Sequence, residues 1–306
     1  MTDTWTPLLV AAFAGAVRGG TPILYAALGE TLAQRAGVLN LGLEGVMLVG
    51  ALASVVVSYY TGQLFLALIA ALLAGAVFGS LHALFALRLR ANQVVSGLAL
   101  LVLGNGITAY LGIPYVGKKI TSLPPVKLAG LSEIPFLGPV LFQQDFLVYA
   151  SYPLVLLIAW LLYRTRFGLE IRAAGEDPET ADASGAHVLF VRSVAVIVGG
   201  ACAGIGGAYL SLVYAQGWIE NMTAGRGLIS VGLVIFARWD PVRAMWGAYL
   251  FGLAWALKLL LQTTGLQVSP YLLGMAPYLL LLVVLIPVGV RYRQGNGGAP
   301  TALGKA

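Results

Sequence analysis

The chain has 306 residues, 59% of them hydrophobic and only 10% charged, where an ordinary soluble domain carries roughly a quarter charged residues. Repeated apolar runs of membrane-spanning length exclude a water-soluble enzyme or binding domain and place the chain in a bilayer. The net charge of +6 does not call for a nucleic-acid partner, because membrane topology accounts for where the basic residues fall.

The runs are continuous rather than alternating, which predicts an all-α polytopic bundle and not a barrel. In chain order, spans are predicted near 7–33, 41–60, 64–87, 92–112, 145–163, 189–215, 225–238, 242–261 and 271–290. That makes about nine helices, with a range of eight to ten. The first carries Arg18, Gly19, Gly20 and Pro22, a composition that predicts a kink or a split. Its start has no basic residue before the apolar run and no small-residue cleavage site, so it reads as retained helix. The seventh is short and reads as a partly inserted arm. Residues 1–290 form the expected transmembrane domain, and 291–306 a disordered cytoplasmic tail.

Lys and Arg concentrate on the cytoplasmic side of membrane proteins. With the C-terminus inside, that side holds twelve: Arg35, Arg88, Arg90, Arg164, Arg166, Arg172, Arg192, Arg238, Arg243, Arg291, Arg293 and Lys305. The other side holds four: Lys118, Lys119, Lys127 and Arg226. Nine spans then put the N-terminus outside, in a multi-pass protein of the cell (inner) membrane.

Three polar stretches interrupt the bundle. "QRAGVLNLGLEG" at 34–45 breaks the apolar run just where a second helix should begin, with Asn40, Gly42 and Glu44 close together. The outer loop, 112–145, is rich in proline and glycine and predicts turns with a short apolar helix. The inner segment, 163–193, holds five of the twelve acids. Within it Asp177, Pro178 and the acids after them read as a helix start: a cap, a proline in the first turn, and negative charge at the positive end. Small residues recur every four positions at Gly75, Gly79 and Ala83, along 199–208, and from Ala244 to Ala256, which predicts close helix packing.

Catalytic signals are weak. There is no "GxxxxGK[ST]" phosphate loop. His82 and His187 stand far apart, and no Cys, His or acid cluster has metal-ligand spacing. Cys202, the single cysteine, sits in an apolar run as a packing residue. No cofactor and no metal are expected. Arg18, Glu44 and Lys258 are the ionisable residues that a proton-coupled carrier would have to use, and snorkelling accounts equally for Arg18 and Lys258.

The stretches "TPILYAALGETLAQRAGVLNLGLEGVMLVGA" (21–51), "FGLEIRAAGEDPETADASGAHV" (167–188) and "GRGLISVGLVIFARWDPVRAMWGAYLFG" (225–252), in this order, resemble the permease subunits of ABC importers in the branched-chain amino acid and ribose-type group. The match is nearest to the nucleoside and simple-sugar branch. The resemblance implies a transport subunit without an ATPase site of its own. Its implied partners are an ABC ATPase, a second permease subunit and an extracytoplasmic substrate-binding protein, in contact with membrane lipid and no nucleic acid. It implies that Asn40, Gly42 and Glu44 form a broken helix end beside the translocation path; for Asn40 a plain structural cap fits as well. It further implies that Gly175, Glu176, Asp177, Pro178, Ala181, Asp182 and Gly185 belong to a coupling segment. A helix over Pro178 to Ser184 would end at Gly185 and dock in a groove of the ATPase, with Ala181 and Gly185 as its small face. Where the family commonly carries Glu-Arg, this chain has Gln34-Arg35, so no role is carried over to residue 34. Nucleosides are the first expected substrate, then ribose-type sugars, then branched-chain amino acids. A secondary carrier and a membrane-embedded transferase are the rival classes.

Overall fold

The computed structural model describes residues 5–128, 130–263, 275, 279, 283 and 298–304. It is a helical bundle, as predicted. Six of its helices are long and apolar enough to cross a membrane. They are α1 (Trp5–Arg35), α2 (Leu43–Thr61), α3 (Leu64–Ala83, extended by a π turn to Arg88), α4 (Gln93–Gly112), α6 (Phe146–Arg164) and α9 (Val188–Tyr209, extended by a π turn to Tyr214). Shorter helices are α5 (Leu137–Leu141), α7 (Arg166–Glu176), α8 (Pro178–Ala183) and α10 (Arg226–Phe236). A further long helix, α11, covers Pro241–Thr263. The expected span at 271–290 lies outside the described residues apart from Met275, Leu279 and Val283, which are helical.

The first helix is not split: α1 runs unbroken through Pro22. It packs with α11 along one side and α9 along another, and α9 in turn packs on α3 and α2. Small residues make both approaches possible. A Cβ on Gly20 would lie 2.5 Å from the Ala248 carbonyl oxygen of α11, and one on Gly29 would collide with the Gly199 carbonyl of α9. The same device joins α9 to α3 through Gly75 and Gly200, and to α2 through Gly50, whose Cβ would lie 2.5 Å from the Gly204 Cα. Without a hydrophobic drive between helices in lipid, such backbone approach supplies the dispersion contact that holds the bundle. The predicted small-residue faces are therefore packing faces.

The loop between α4 and α6 is ordered as expected. It contains α5 and a two-stranded antiparallel ribbon, β1 (Pro125–Lys127) with β2 (Gln143–Asp145), in register Pro125 to Asp145. Asp145 then caps α6, its carboxylate accepting from the Leu147 and Val148 amides at 3.0 and 3.1 Å. Sequence reading missed α7 as a helix of its own. Its apolar positions, Phe167, Ile171 and Ala174, recur at helical spacing within a charged segment.

Candidate functional site

Two helix ends meet inside the bundle. After Arg35 the chain turns on Gly37, whose φ of +86° suits glycine, and climbs back along α1. The Asn40 amide donates to Glu30 Oε1 at 3.1 Å, and the Asn40 side-chain oxygen accepts the Gly42 amide at 2.9 Å. Asn40 thus serves the backbone groups freed by the break, in the manner of a cap. The start of α2 is not at the end of α1, where the sequence placed it, but beside Glu30, more than a turn further in.

The short helix α10 arrives at the same place. Ser230 donates to the Ile23 carbonyl at 3.2 Å, near the middle of α1, while the turn that follows α10 meets Arg35, whose Nε donates to the Trp239 carbonyl at 3.1 Å. Eleven residues make about 16 Å of helix, half a bilayer, so α10 begins at mid-depth. This matches the expected partly inserted arm. Its N-terminus is closed by Glu44, buried at 7% exposure, whose two carboxylate oxygens accept the Gly225 and Gly227 amides at 2.7 Å each. A carboxylate here meets unpaired N–H groups and the positive end of the helix dipole together. Gly225 has φ +80°, and a Cβ on Gly227 would strike the Glu44 backbone. Asn40, Gly42 and Glu44 are therefore brought together, as the locked joint between α2 and α10. Beside them Arg226 stacks on Trp255, 4.1 Å from the ring centroid.

Gln34, given no role from sequence, links the joint to the turn after α10. Its oxygen accepts from Trp239 Nε1 at 2.7 Å and its amide donates to Glu30 Oε1 at 2.9 Å. An acid at this position would face Glu30 with a second carboxylate, whereas the amide offers one acceptor and one donor. The departure from Glu-Arg carried that signal. His82 spans the same region, with ring nitrogens 3.1 Å from Ser96 Oγ and 3.0 Å from the Leu39 carbonyl.

The charged segment packs directly beneath. Gly175 of α7 is pressed so closely on the turn after α1 that a Cβ would collide with the Arg35 carbonyl. Arg192 of α9 donates to the Ala174 carbonyl at 2.8 Å. Residues 298–304 close over this contact, with the Ala302 amide on the Gly175 carbonyl at 2.9 Å and the Thr301 hydroxyl on the Glu176 carbonyl. An unpaired Gly175 carbonyl draws the chain back there.

The helix start at 177 is as read. Asp177 caps α8, accepting from the Glu179 and Thr180 amides at 3.1 Å each and from the Thr180 hydroxyl at 2.6 Å. The Thr180 hydroxyl, then its amide, hold the Asp177 carboxyl below its ordinary range. Pro178 opens the helix and Gly185, at φ +91°, follows its end. Glu176, Asp177, Glu179, Asp182 and Gly185 are exposed and Pro178 is half-buried. Ala181, 5% exposed, and Gly185, exposed, both line a groove of about 370 Å³ between α7 and α8, although the helix itself ends at Ala183.

Among the described residues, no group of three or more His, Cys, Asp and Glu side chains could hold a metal ion. The Glu44 carboxylate, the Asn40 side-chain oxygen and the Gln34 amide all find partners within the chain, and the charged segment lies against the turn after α1. A family model described as the branched-chain amino acid transport system permease component matches residues 12–285. This chain belongs to that family of ABC importer permeases. It is similar to a Haloferax volcanii permease named provisionally for glucose ABC transport, 40% identical over 94% of each chain. A guanosine ABC transporter permease of Bacillus subtilis is 34% identical over 93% of this chain and 94% of its own. A nucleoside ABC transporter permease of Lactococcus lactis is 34% identical over 87% and 88%. The permease is a multi-pass membrane protein and not itself an ATPase.

Proposed function

We propose that this permease passes a nucleoside inward, driven by ATP hydrolysis on a partner subunit and supplied by an extracytoplasmic binding protein, with a second permease completing the path. The observation that carries the coupling is the contact of Gly175 with Arg35 and Gly37. Through it α7 and α8 bear on the turn from which α2 and, through Trp239, α10 are held. An ATPase that grips the exposed acids of α8 moves this lever. The end bearing Arg35, Arg164 and α8 is accordingly the cytoplasmic one, in line with the bias of basic residues. Both permeases named for nucleoside or guanosine transport align over nearly the whole chain, which supports a nucleoside. The higher identity to the permease named for glucose favours a monosaccharide as the second reading.

The test is uptake by the reconstituted transporter with its own binding protein and ATPase, offered labelled guanosine, uridine, glucose, ribose and leucine in turn. Saturable ATP-dependent uptake of a nucleoside is expected. Uptake of glucose or ribose alone moves the substrate to sugars. Uptake that persists without the ATPase overturns the coupling as well.

A further inference from the structure

Three side-chain amides lie within the six spans: Gln34, Gln93 and Asn105. Two are bonded inside the chain, Gln34 as described and Gln93 through its oxygen to the Leu39 amide at 2.8 Å. The Asn105 side chain makes no hydrogen bond among the described residues, and it sits near the middle of α4. Its depth is fixed by its neighbour: Gly104 is packed on Gly45, 2.6 Å from where a Cβ would stand, beside Glu44 at the joint. Asn105, half-buried, therefore lies about 100° round the helix from the face on α2, at the depth where α2 and α10 begin. Next to it Gly106 has nothing within 4 Å of a would-be Cβ. One and two turns back, Val102 and Leu98 are 68% and 47% exposed.

We infer that this face of α4, Leu98, Val102, Asn105 and Gly106, is the seam with the second permease subunit, and that Asn105 is bonded across it or to the hydrated path it encloses. In hydrocarbon an unmatched amide costs several kcal/mol, so lipid is the wrong neighbour for it. A bare backbone at Gly106 lets another helix approach closely, and an interhelical amide bond is how such membrane seams are fixed. The outward faces of α3 and α6 differ in kind. Exposed side chains along α3 include Phe65, Leu66, Ile69, Leu72, Leu73 and Val77, and midway along α6 Leu156, Leu157 and Trp160. Exposed Ser80 and half-buried Ser193 are satisfied by their own helices, at 2.8 Å to the Ala76 carbonyl and 2.7 Å to the Leu189 carbonyl. Those faces suit lipid.

The inference rests on the importer reading, and its test separates the two. In membranes holding the intact transporter, a photoreactive benzoyl-phenylalanine replaces Val102, and in a control Leu156, which is 66% exposed on α6. Illumination is expected to join the Val102 probe to a permease polypeptide, a second copy or a homologue, identified by its peptides, and to leave the Leu156 probe without a protein adduct. In parallel, Asn105→Leu is expected to cut uptake at least fivefold while the ATPase still co-purifies. No protein adduct at Val102, an adduct to another subunit, an equal permease adduct at Leu156, or full uptake by Asn105→Leu each overturns the seam. ATP-dependent uptake by the unaltered transporter decides the importer reading separately.

Discussion

Glu44→Gln isolates the clamp that closes α10. In the native chain two backbone amides, Gly225 and Gly227, each donate to a separate carboxylate oxygen at 2.7 Å. Hydrogen bonds to a charged group contribute about 1.5–3 kcal/mol each, and neutral ones about 0.5–1.5. Glutamine keeps one oxygen, so one amide retains a neutral bond. The other then faces an NH2 group, donor against donor, in a buried site. The expected loss is about 2–5 kcal/mol. Glu179→Gln, on the exposed side of α8, changes the same functional group without removing a bond and should cost under about 0.5 kcal/mol. Thermal unfolding of the detergent-purified transporter, read as the monodisperse fraction, should place Glu44→Gln several degrees below the native protein and Glu179→Gln beside it. Uptake should fall with Glu44→Gln at equal expression. Equal melting and equal uptake of Glu44→Gln and the native chain would refute the clamp.

Gly175→Ala puts a methyl against the Arg35 carbonyl; overpacking of this kind costs about 1–3 kcal/mol. Uptake should drop several-fold while the ATPase still co-purifies, and unaltered uptake would separate α7 from the joint. On α8, Ala183→Trp adds bulk to an exposed position and should stop ATP-driven uptake without lowering the melting point, whereas Ala181→Trp, at a buried position, should lower both. Orientation is checked on a Cys202→Ala background: Ser184→Cys should react with an impermeant thiol reagent only in opened membranes, and Ser122→Cys from outside. The reverse pattern would invert the topology.

The class and much of the layout were legible without coordinates, because a bilayer demands long apolar helices and leaves few other solutions. The small-residue faces were legible too, since period and residue size alone decide close approach. So was the Asp177 cap, whose partners lie two and three residues along the chain. The depth of the joint was not. Glu44 bonds groups 181 and 183 residues away, and Trp239 reaches Gln34 across 205. Nothing local to either partner records such a pairing. The same limit covers Ala302, whose amide meets the distant Gly175 carbonyl, and Ala181, whose burial depends on where α7 lies. The sequence by itself determined a bundle of membrane helices, its family and its charged inner segment with the Asp177 cap, because these follow from periodicity, composition and local motifs. Only the tertiary structure decided that α2 begins inward of the end of α1, that α10 begins beside it, that one carboxylate ties them, and that the Asn105 amide is left without a partner among the described residues, because those facts depend on which distant residues the packing brings within hydrogen-bond reach.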